Sequence, residues 1–389
     1  MSSHIPGAII IEGHVQGLSN ARALGEVGIP VYVVDKVKCI ASHSKYCKKF
    51  FLCPDFQTDE FADFLITLAK NENIRDWVLI PSNDHAVYTL SRNKKKLQGF
   101  YKVISPDLNI VERIYDKKQL LFLAEECGVP VPKTVYFQSK DDSIPHTLTF
   151  PVLTKGRHGL SFYKKLHKKA FLAKDKGELQ EQLYLIAERY EVHKTFTQEL
   201  IPFDGYNKTI SFTAFSVNGE IKTYWIGEKV REHPLRFGTA TFARSINKAE
   251  LVEPSHKLLS ALNYTGVCEI EYLLDPRDGL YRLIEINART WLWVGLAKAC
   301  GVDYAKLIYD FVNGREMEYP TNYKVGLNWI NPVTDFVFSM ISLISGQLKL
   351  KAYFYSIFKA QKVNALFVKK DLEPGYAYIV KLFSFINKR

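Results

Sequence analysis

The segment from Cys268 to Arg289 carries the side chains best suited to metal chemistry. Two apolar stretches joined by DPRDG contain three glutamates and an asparagine at alternating positions, namely Glu269, Glu271, Glu285 and Asn287. Because side chains alternate between the two faces of a strand, the two polar residues of each stretch lie on one face. A hairpin closed by this five-residue turn places Glu271 opposite Glu285 and Glu269 opposite Asn287.

Such a hairpin crowds three carboxylates and an amide into one patch. Like charges that face each other across strands cost up to about 1 kcal/mol, and the apolar neighbours Ile270 and Ile286 increase the repulsion. A hard divalent cation such as Mg²⁺ or Mn²⁺ removes the conflict, because it prefers oxygen ligands. Ordinary ion pairs with Arg282 or Arg289 are the alternative, and the pattern alone favours the metal only slightly.

The order Glu, hairpin, Glu-x-Asn-x-Arg resembles the metal-binding end of the ATP-grasp superfamily, which includes carboxylate–amine ligases such as D-aspartate ligase and also biotin carboxylase. The resemblance implies that Glu271, Glu285 and Asn287 hold Mg²⁺ (or Mn²⁺), as two ions, together with ATP. It also implies that Arg289 neutralises the phosphoryl group or the acylphosphate. Glu269 is not a usual member of the pattern and is assigned a supporting place behind the ligands.

Two upstream lysines resemble the phosphate-binding lysines of the same family. Lys117 follows Asp116 at the start of a predicted helix, and Lys155 ends the apolar strand PVLTK. A buried lysine at that position needs an anionic partner, which a phosphate supplies. The next loop departs from the glycine-rich pattern of many relatives, because it has two glycines and two basic residues. We therefore expect Gly156 and His158 to share in covering the phosphates.

The segment QELIP (198–202) resembles the strand that lines adenine, where backbone groups bond the edge of the base. The resemblance implies contacts of the nucleotide with Glu199, Leu200, Ile201 and either Asp204 or Asn207. The alternative is a plain edge strand that ends at Pro202.

Arg231 lies between the predicted adenine strand and the metal hairpin, in a region that borders the acceptor in ligases of this type. It is the candidate for a bidentate contact with a substrate carboxylate. A surface ion pair with Glu228 or Glu232 is an equally good interpretation of this arginine.

The elements that must position these residues indicate an α/β and α+β multidomain protein. Apolar runs at 8–11, 31–34, 78–80 and 101–104 alternate with helical spacing, as in a doubly wound α/β domain. No G-x-G-x-x-G motif follows the first strand, so a dinucleotide site is not predicted. Antiparallel strands follow, with residues 151–175 expected as strand, loop and strand. The predicted domains are 1–113 (α/β), 114–195 (small ATP-grasp lobe), 196–320 (large lobe with the metal) and 321–389 (a mostly helical, basic extension).

Bulk composition limits the function classes. Hydrophobic residues make up 47% and charged residues 24% of the chain, which is an ordinary globular balance and argues against wholesale disorder. No apolar run reaches the length of a membrane span, no export segment is recognisable, and six cysteines are expected as reduced thiols, so a cytoplasmic protein is predicted. The net charge is +11, and the basic tail from Tyr323 onward contains ten basic and three acidic residues. That tail indicates either peripheral contact with an anionic membrane or a solvated basic face.

The favoured function is an ATP-dependent ligase that activates a carboxylate as an acylphosphate and joins it to an amine. A second hypothesis is an ATP-dependent carboxylase or carbamoyl-phosphate-like acylphosphate enzyme, and a third is a non-catalytic nucleotide- or membrane-binding module. Expected partners are small-molecule carboxylate and amine substrates, with no nucleic acid. A homodimer is compatible with the sequence.

Overall fold

A computed structural model describes residues 5–204, 208–233, 238–346, 348–358 and 361–386. Five parallel strands form the N-terminal sheet, in the order β3-β2-β1-β4-β5. They are β1 (Ala8–Ile11), β2 (Val31–Asp35), β3 (Cys47–Leu52), β4 (Trp77–Pro81) and β5 (Tyr101–Val103). The helices of this part and of the connection that follows it are α1 (Val15–Glu26), α2 (Asp59–Asn71), α3 (Asp84–Arg92), α4 (Lys94–Leu97), α5 (Leu108–Tyr115) and α6 (Lys117–Glu126).

The apolar run of β1 explains why this sheet is covered on both faces. Ala8 and Ile10 belong to the core cluster on one side of the sheet, whereas Ile9 and Ile11 belong to the cluster on the other. This is the burial that a parallel strand between two helix layers requires. The doubly wound arrangement is therefore as predicted. Strand β3 was not predicted, because its sequence CKKFFL lies half exposed at the sheet edge and lacks a continuous apolar run.

A second, antiparallel sheet of four strands has the order β6-β9-β7-β8. Its strands are β6 (Thr134–Val135), β7 (Val152–Gly156), β8 (Phe171–Ala173) and β9 (Thr195–Glu199), and its helices are α7 (Gly159–Leu166) and α8 (Lys176–Ala187). The prediction of a loop between the two strands of 151–175 is wrong, because helix α7 connects β7 to β8. Phe162 anchors this helix, since its side chain is buried against Phe171 and Tyr190.

A seven-stranded sheet forms the rest, in the order β14-β13-β10-β11-β12-β15-β16. Its strands are β10 (Thr209–Val217), β11 (Glu220–His233), β12 (Thr239–Ser245), β13 (Gly266–Leu274), β14 (Tyr281–Asn287), β15 (Asn328–Ile330) and β16 (Lys362–Asn364). Helices α9 (Val252–Ala261), α10 (Val294–Ala299) and α11 (Tyr304–Val312) accompany it. Gly301, at φ 108°, lies in the break between α10 and α11.

The C-terminal part is mostly helical, as predicted, with α12 (Pro332–Ile344), α13 (Leu350–Phe358) and α14 (Glu373–Ile386). It is also joined to the large sheet, because β16 pairs in parallel with β15. Arg22 of α1 binds the carboxylate of Asp371 at 2.8 Å, which ties this part to the N-terminal sheet. None of the helices in the described ranges is long and apolar enough to cross a membrane. The division into four domains stays a prediction.

Candidate active site

The metal hairpin has the predicted register. Glu271 pairs with Glu285 and Glu269 with Asn287, and an irregularity follows Glu271. The turn itself is held by Asp275, which accepts hydrogen bonds from the side chains of Arg277 and Arg282. Arg282 is thus used at the turn, three residues before Glu285 on the same strand. It does not provide the neutralising ion pair that was considered as the alternative to a metal.

Two lysines neutralise the facing glutamates instead. The ammonium group of Lys117 lies 3.2 Å from the Glu285 carboxylate, and that of Lys229 lies 2.8 Å from the Glu271 carboxylate. The charge of Lys117 lowers the pKa of Glu285 to about 2. Burial alone would lower the pKa of Lys229, but the carboxylates of Glu271 and Glu269 raise it above the ordinary value. Positive charge from two other elements therefore converges on this hairpin.

Glu269 lies behind the facing pair and is almost fully buried. Its carboxylate accepts hydrogen bonds from the Ser211 hydroxyl at 2.7 Å and from the Asn287 amide at 3.2 Å. Burial and the nearby charge of Glu271 raise its pKa to about 7. The same Asn287 amide also donates to Glu285 at 3.2 Å, so it links the buried and the facing carboxylates.

The first predicted phosphate lysine, Lys117, begins helix α6. Asp116 caps this helix by accepting from the Lys118 amide at 3.0 Å, and it also binds the guanidinium of Arg157. Burial alone would raise the pKa of Asp116, but the Arg157 hydrogen bonds lower it below its usual range. The Lys117 amide in turn donates to the Arg157 carbonyl at 3.1 Å. These contacts fix the start of α6 against the loop after β7.

The second predicted phosphate lysine, Lys155, lies at the end of β7, one residue before the loop that leads to α7. Burial lowers its pKa, the Glu285 carboxylate raises it and the charge of Lys117 lowers it. Both predicted lysines are therefore within electrostatic reach of Glu285 and of each other. Two cations this close to one carboxylate form a site that favours a further anion.

Gly156 and His158 lie where β7 turns into α7. A Cβ atom on Gly156 would come within 2.3 Å of the Phe162 Cβ, so only glycine permits the close approach of this helix. His158 is exposed and precedes the first residue of α7. Their predicted contact with phosphates stays a prediction.

The predicted adenine segment has two distinct parts. The side chain of Glu199 is buried, and it accepts from the Thr149 amide at 2.9 Å and from Arg277 at 3.1 Å. The amides of Glu199 and Leu200 donate to the carbonyls of Lys133 and Pro151. Ile201 is the next residue along the chain, and its amide donates to no backbone carbonyl within the described ranges. Asp204 is exposed, and Asn207 lies outside the described residues.

Arg289 contacts the start of helix α3 rather than the glutamates. Its guanidinium donates to both carboxylate oxygens of Asp84, at 2.9 and 3.1 Å, and to the Asn287 side-chain oxygen at 3.3 Å. Burial would lower its pKa, but Asp84 and Glu269 raise it. The arginine lies beside Asn287, at the junction of the hairpin with helix α3. Its predicted role at the phosphoryl group stays a prediction.

Arg231 forms a bidentate pair with Asp335 of α12, at 2.8 and 2.7 Å, and donates to Ser356 of α13 at 2.6 Å. Asp335 is fully buried. The ion pair considered for Arg231 with Glu228 or Glu232 is replaced by this one, because the C-terminal helices cover the arginine. Its predicted contact with a substrate carboxylate stays a prediction.

Lys229, Asp84 and Asp335 are the site-region residues that the sequence analysis missed. Lys229 had one usable signal: a lysine within a strand beside Trp225 and Ile226 needs an acidic partner when it is buried. Asp84 and Asp335 had none, because their partners are 205 and 104 residues away in the chain.

The residues fit a magnesium ion in part. Glu271, Glu285 and Asn287 offer two carboxylates and an amide oxygen on one patch, which are the oxygen ligands that Mg²⁺ prefers. Across the described ranges no three His, Cys, Asp or Glu side chains converge closely enough to hold a metal by themselves. The remaining ligands would therefore come from phosphate oxygens and water, as is usual for this cation. All six cysteines are free, as expected.

The chain is similar to several known proteins. Residues 238–319 match the family model for the ATP-binding domain of the carbamoyl-phosphate synthase L chain. D-aspartate ligase from Enterococcus faecium is 24% identical over 252 residues, which cover 61% of this chain and 59% of that protein. The chain thus spans about three fifths of the length of this curated relative.

Solved structures share the fold. The L-amino acid ligase from Bacillus licheniformis superimposes with a TM-score of 0.61 at 16% identity, over 79% of this chain and 74% of that one. The biotin carboxylase domain of 2-oxoglutarate carboxylase from Hydrogenobacter thermophilus, solved with MgADP and bicarbonate, gives 0.62 at 14% identity, over 84% and 74%. The predicted fold class and the resemblance to the ATP-grasp superfamily are confirmed.

Proposed function

We propose that this protein is an ATP-dependent ligase that joins a carboxylic acid to an amine. The observation that carries the proposal is the convergence of Lys117 and Lys229 on Glu285 and Glu271, with Lys155 close by. A site with alternating acidic and basic groups matches the charge of Mg–ATP, whose phosphates need cations and whose metal needs carboxylates. The ligases among the similar proteins support the same activity.

The reaction has two balanced steps. A carboxylate oxygen of the substrate attacks the γ-phosphorus of ATP, the bond to the β-phosphate oxygen breaks, and an acylphosphate and ADP result. The amine nitrogen then attacks the acyl carbon, phosphate leaves, and the amine loses a proton to form the amide. Both steps depend on positioning and charge neutralisation more than on a covalent nucleophile.

The chain supplies these requirements through named groups. Lys117 and Lys155 would neutralise the phosphates, and Arg289, which donates to Asn287 at 3.3 Å, would stabilise the transferred phosphoryl group. Glu271, Glu285 and Asn287 would hold the magnesium, proposed as two ions, which supplies charge neutralisation at the phosphates. Gly156 and His158 would lie over the phosphates at the turn into α7.

At the nucleotide base, the Ile201 amide is the proposed donor and the Glu199 carbonyl the proposed acceptor. The Glu199 side chain holds the strand by bonding Thr149 and Arg277, so it would position the base site rather than contact it. Leu200 would pack on the base, and Asp204 or Asn207 would reach the ribose. Arg231 would position the acceptor side of the site through Asp335, since its guanidinium is already occupied.

Calorimetric titration with a non-hydrolysable ATP analogue tests the nucleotide and metal assignments. We expect magnesium-dependent binding to the intact protein and at least a tenfold loss with Glu285→Ala. The exposed Glu181→Ala is the matched control and should bind unchanged. Absence of magnesium-dependent binding to the intact protein would refute the proposal. Unchanged binding by Glu285→Ala would refute the metal assignment alone.

A phosphate-release screen over pairs of amino acids and other carboxylates identifies the reaction. Release that requires both an acid and an amine supports the ligase. Phosphate release that requires bicarbonate, and no other carboxylic acid, would instead establish an acylphosphate-forming carboxylase.

A further inference from the structure

Helix α12 has an inverted distribution of polar and apolar residues. The residues buried in this helix are Asp335 and Ser339, both polar. Four of its large apolar side chains are exposed, and Ile344 is 89% exposed. The exposed set is Phe336, Val337, Ile341 and Ile344. A helix that buries its polar residues and exposes its apolar ones has its apolar face available for something outside the chain.

Helix α13 carries a second exposed apolar stripe. Leu350, Phe354 and Phe358 are spaced four residues apart, so they form one stripe, and all three are exposed. Phe358 is 79% exposed, and its ring stacks on that of Phe354 with centroids 6.1 Å apart. The two stripes together are called the apolar face below.

The two helices are held firmly under this face. Arg231 binds Asp335 of α12 and Ser356 of α13, and its guanidinium lies over the Tyr353 ring at 5.5 Å. The ring of Phe338 stacks on His233 at 3.5 Å. The apolar side chains are therefore exposed on helices whose opposite sides are fixed to the large sheet, and not on a loose segment.

Positive charge lies at the start of α13 and ahead of α14. Lys349 and Lys351 flank the start of α13, and Lys369 and Lys370 precede α14; all four are exposed. No carboxylate partner is found for any of them in the described ranges of the chain. The basic tail from Tyr323 onward has three acidic residues. Two of them, Asp335 and Asp371, are buried in ion pairs with Arg231 and Arg22. The surface is therefore more basic than the composition suggests.

We propose that the apolar face and its lysines dock on an anionic lipid bilayer. Exposed phenylalanines and isoleucines beside lysines are the composition of helices that lie in a membrane interface. A second copy of the chain fits less well, because a two-fold contact of this face would bring its lysines together. A nucleic acid offers charge but no partner for Ile344 or Phe358. The docking adds to the proposed ligase activity and does not depend on it.

Sedimentation of the full chain with vesicles tests the docking. We expect binding to phosphatidylglycerol vesicles at low salt, with much weaker binding to phosphatidylcholine vesicles. Lys349→Glu/Lys351→Glu should weaken binding at least about thirtyfold, since each lysine near an anionic surface contributes roughly fivefold. Lys174→Glu/Lys176→Glu reverses two exposed lysines of the small lobe and should leave binding unchanged.

A second pair of variants tests the apolar contribution. Ile344→Ser/Phe358→Ser should reduce binding about tenfold or more without changing the melting temperature, because both side chains are exposed. Leu52→Ser, at an exposed strand end of the N-terminal sheet, is its control and should bind as the intact protein does.

The proposal would be overturned if the intact protein did not sediment with anionic vesicles, or if both control variants lost binding as strongly as the test variants. It would also be overturned if analytical ultracentrifugation showed a dimer that Ile344→Ser/Phe358→Ser dissociates, because the face would then be covered by a second copy.

Discussion

At the residue scale, the facing glutamates are tolerated because each has its own ammonium partner. Lys117 contacts Glu285 and Lys229 contacts Glu271, and the latter two side chains are each about one tenth exposed. A buried carboxylate that loses its partner is left with an uncompensated charge, which is strongly unfavourable. The lysines therefore do in this structure what a divalent cation would also do, which makes the two exchangeable in principle.

This exchange can be tested with Lys229→Met. Removing the ammonium group restores the repulsion between Glu271 and Glu285, so we expect the free energy of unfolding to fall by about 3 kcal/mol in EDTA. Magnesium should restore part of that loss, since it takes over the neutralisation. Urea unfolding with and without Mg²⁺ measures both effects.

The control is Lys222→Met, whose lysine contacts an exposed glutamate on the same strand. Its stability should change little and should not respond to magnesium. Equal magnesium effects on both variants would show that Lys229 has no special relation to the metal position.

Glu12, at the carboxyl end of β1, gives a prediction about pH. Burial, and after it the charge of Asp35, raise its pKa to about 7. Because the folded-state pKa lies above the ordinary value, the folded state holds this proton more tightly than the unfolded state. The stability that Glu12 contributes is therefore complete below about pH 4.5 and is lost as pH rises through 7.

We expect Glu12→Gln to remove about 2 kcal/mol of this pH dependence, as judged from unfolding free energies at pH 5 and pH 8. Glu269 titrates in the same range, so the intact protein and the variant are compared at each pH. The exposed Glu60→Gln serves as control. A pH profile of Glu12→Gln that parallels that of the intact protein would contradict the assignment.

At the element scale, the contact of β7 with α7 decides how the segment predicted to cover the phosphates is placed. Gly156 lets Phe162 lie directly against the strand, and the helix begins only three residues later. Core positions packed this closely tolerate no extra methyl group without a shift of the neighbouring element. The position of α7 relative to β7 is therefore set by one glycine.

Gly156→Ala should displace α7 and weaken binding of the ATP analogue about tenfold, with an overpacking cost of about 1–3 kcal/mol in stability. Gly159→Ala is the matched control, because no atom lies within 4 Å of the added Cβ. Calorimetry and thermal unfolding of both variants give the comparison. Equal affinities for the two variants would separate α7 from nucleotide binding.

Elements with a strong local pattern could be predicted from the sequence. The hairpin register followed from alternation and turn length, and helix α6 followed from the Asp116 cap that the structure contains. Strand β3 and helix α7 were missed, because an edge strand with two lysines and a helix after a glycine-containing loop have weak local signals. Tertiary packing, of Phe162 in the second case, determines such elements.

The site was predictable to the same extent. Residues on the hairpin and the two phosphate lysines lie in local motifs, and the structure brings Lys117, Lys155 and Glu285 together. The partners Asp84 of Arg289 and Asp335 of Arg231 could not be predicted. These two pairings depend on how separate sheets and helices pack, and the spacing of residues along one sequence does not reveal that packing.

At the scale of the whole molecule, the last described segment is fastened to the first helix. The Arg22 guanidinium binds the Asp371 carboxylate and carbonyl and the carbonyls of Ala365 and Leu366. Both charged side chains are less than one tenth exposed. Helix α1 and the segment 365–371 are thereby joined through one buried arginine that donates four hydrogen bonds.

Arg22→Met should cost about 3 kcal/mol in unfolding free energy, because it leaves the buried Asp371 without its partner. Faster amide hydrogen exchange is expected in residues 362–371, measured by mass spectrometry. Arg92→Met, which breaks a surface pair with Asp59, is the control and should change stability by less than about 1 kcal/mol. Similar exchange in both variants would show that Arg22 does not hold this segment.

The Arg22 arrangement has a practical consequence for anyone who shortens the gene. Deleting everything after Gln361 would remove Asp371 and the accepting carbonyls together, and would leave a guanidinium inside the protein with no acceptor for its protons. Such a deletion would compromise solubility and expression whatever the basic tail does at a membrane. Point substitutions on the outer surface, rather than truncations, are therefore the appropriate tools for separating docking from folding.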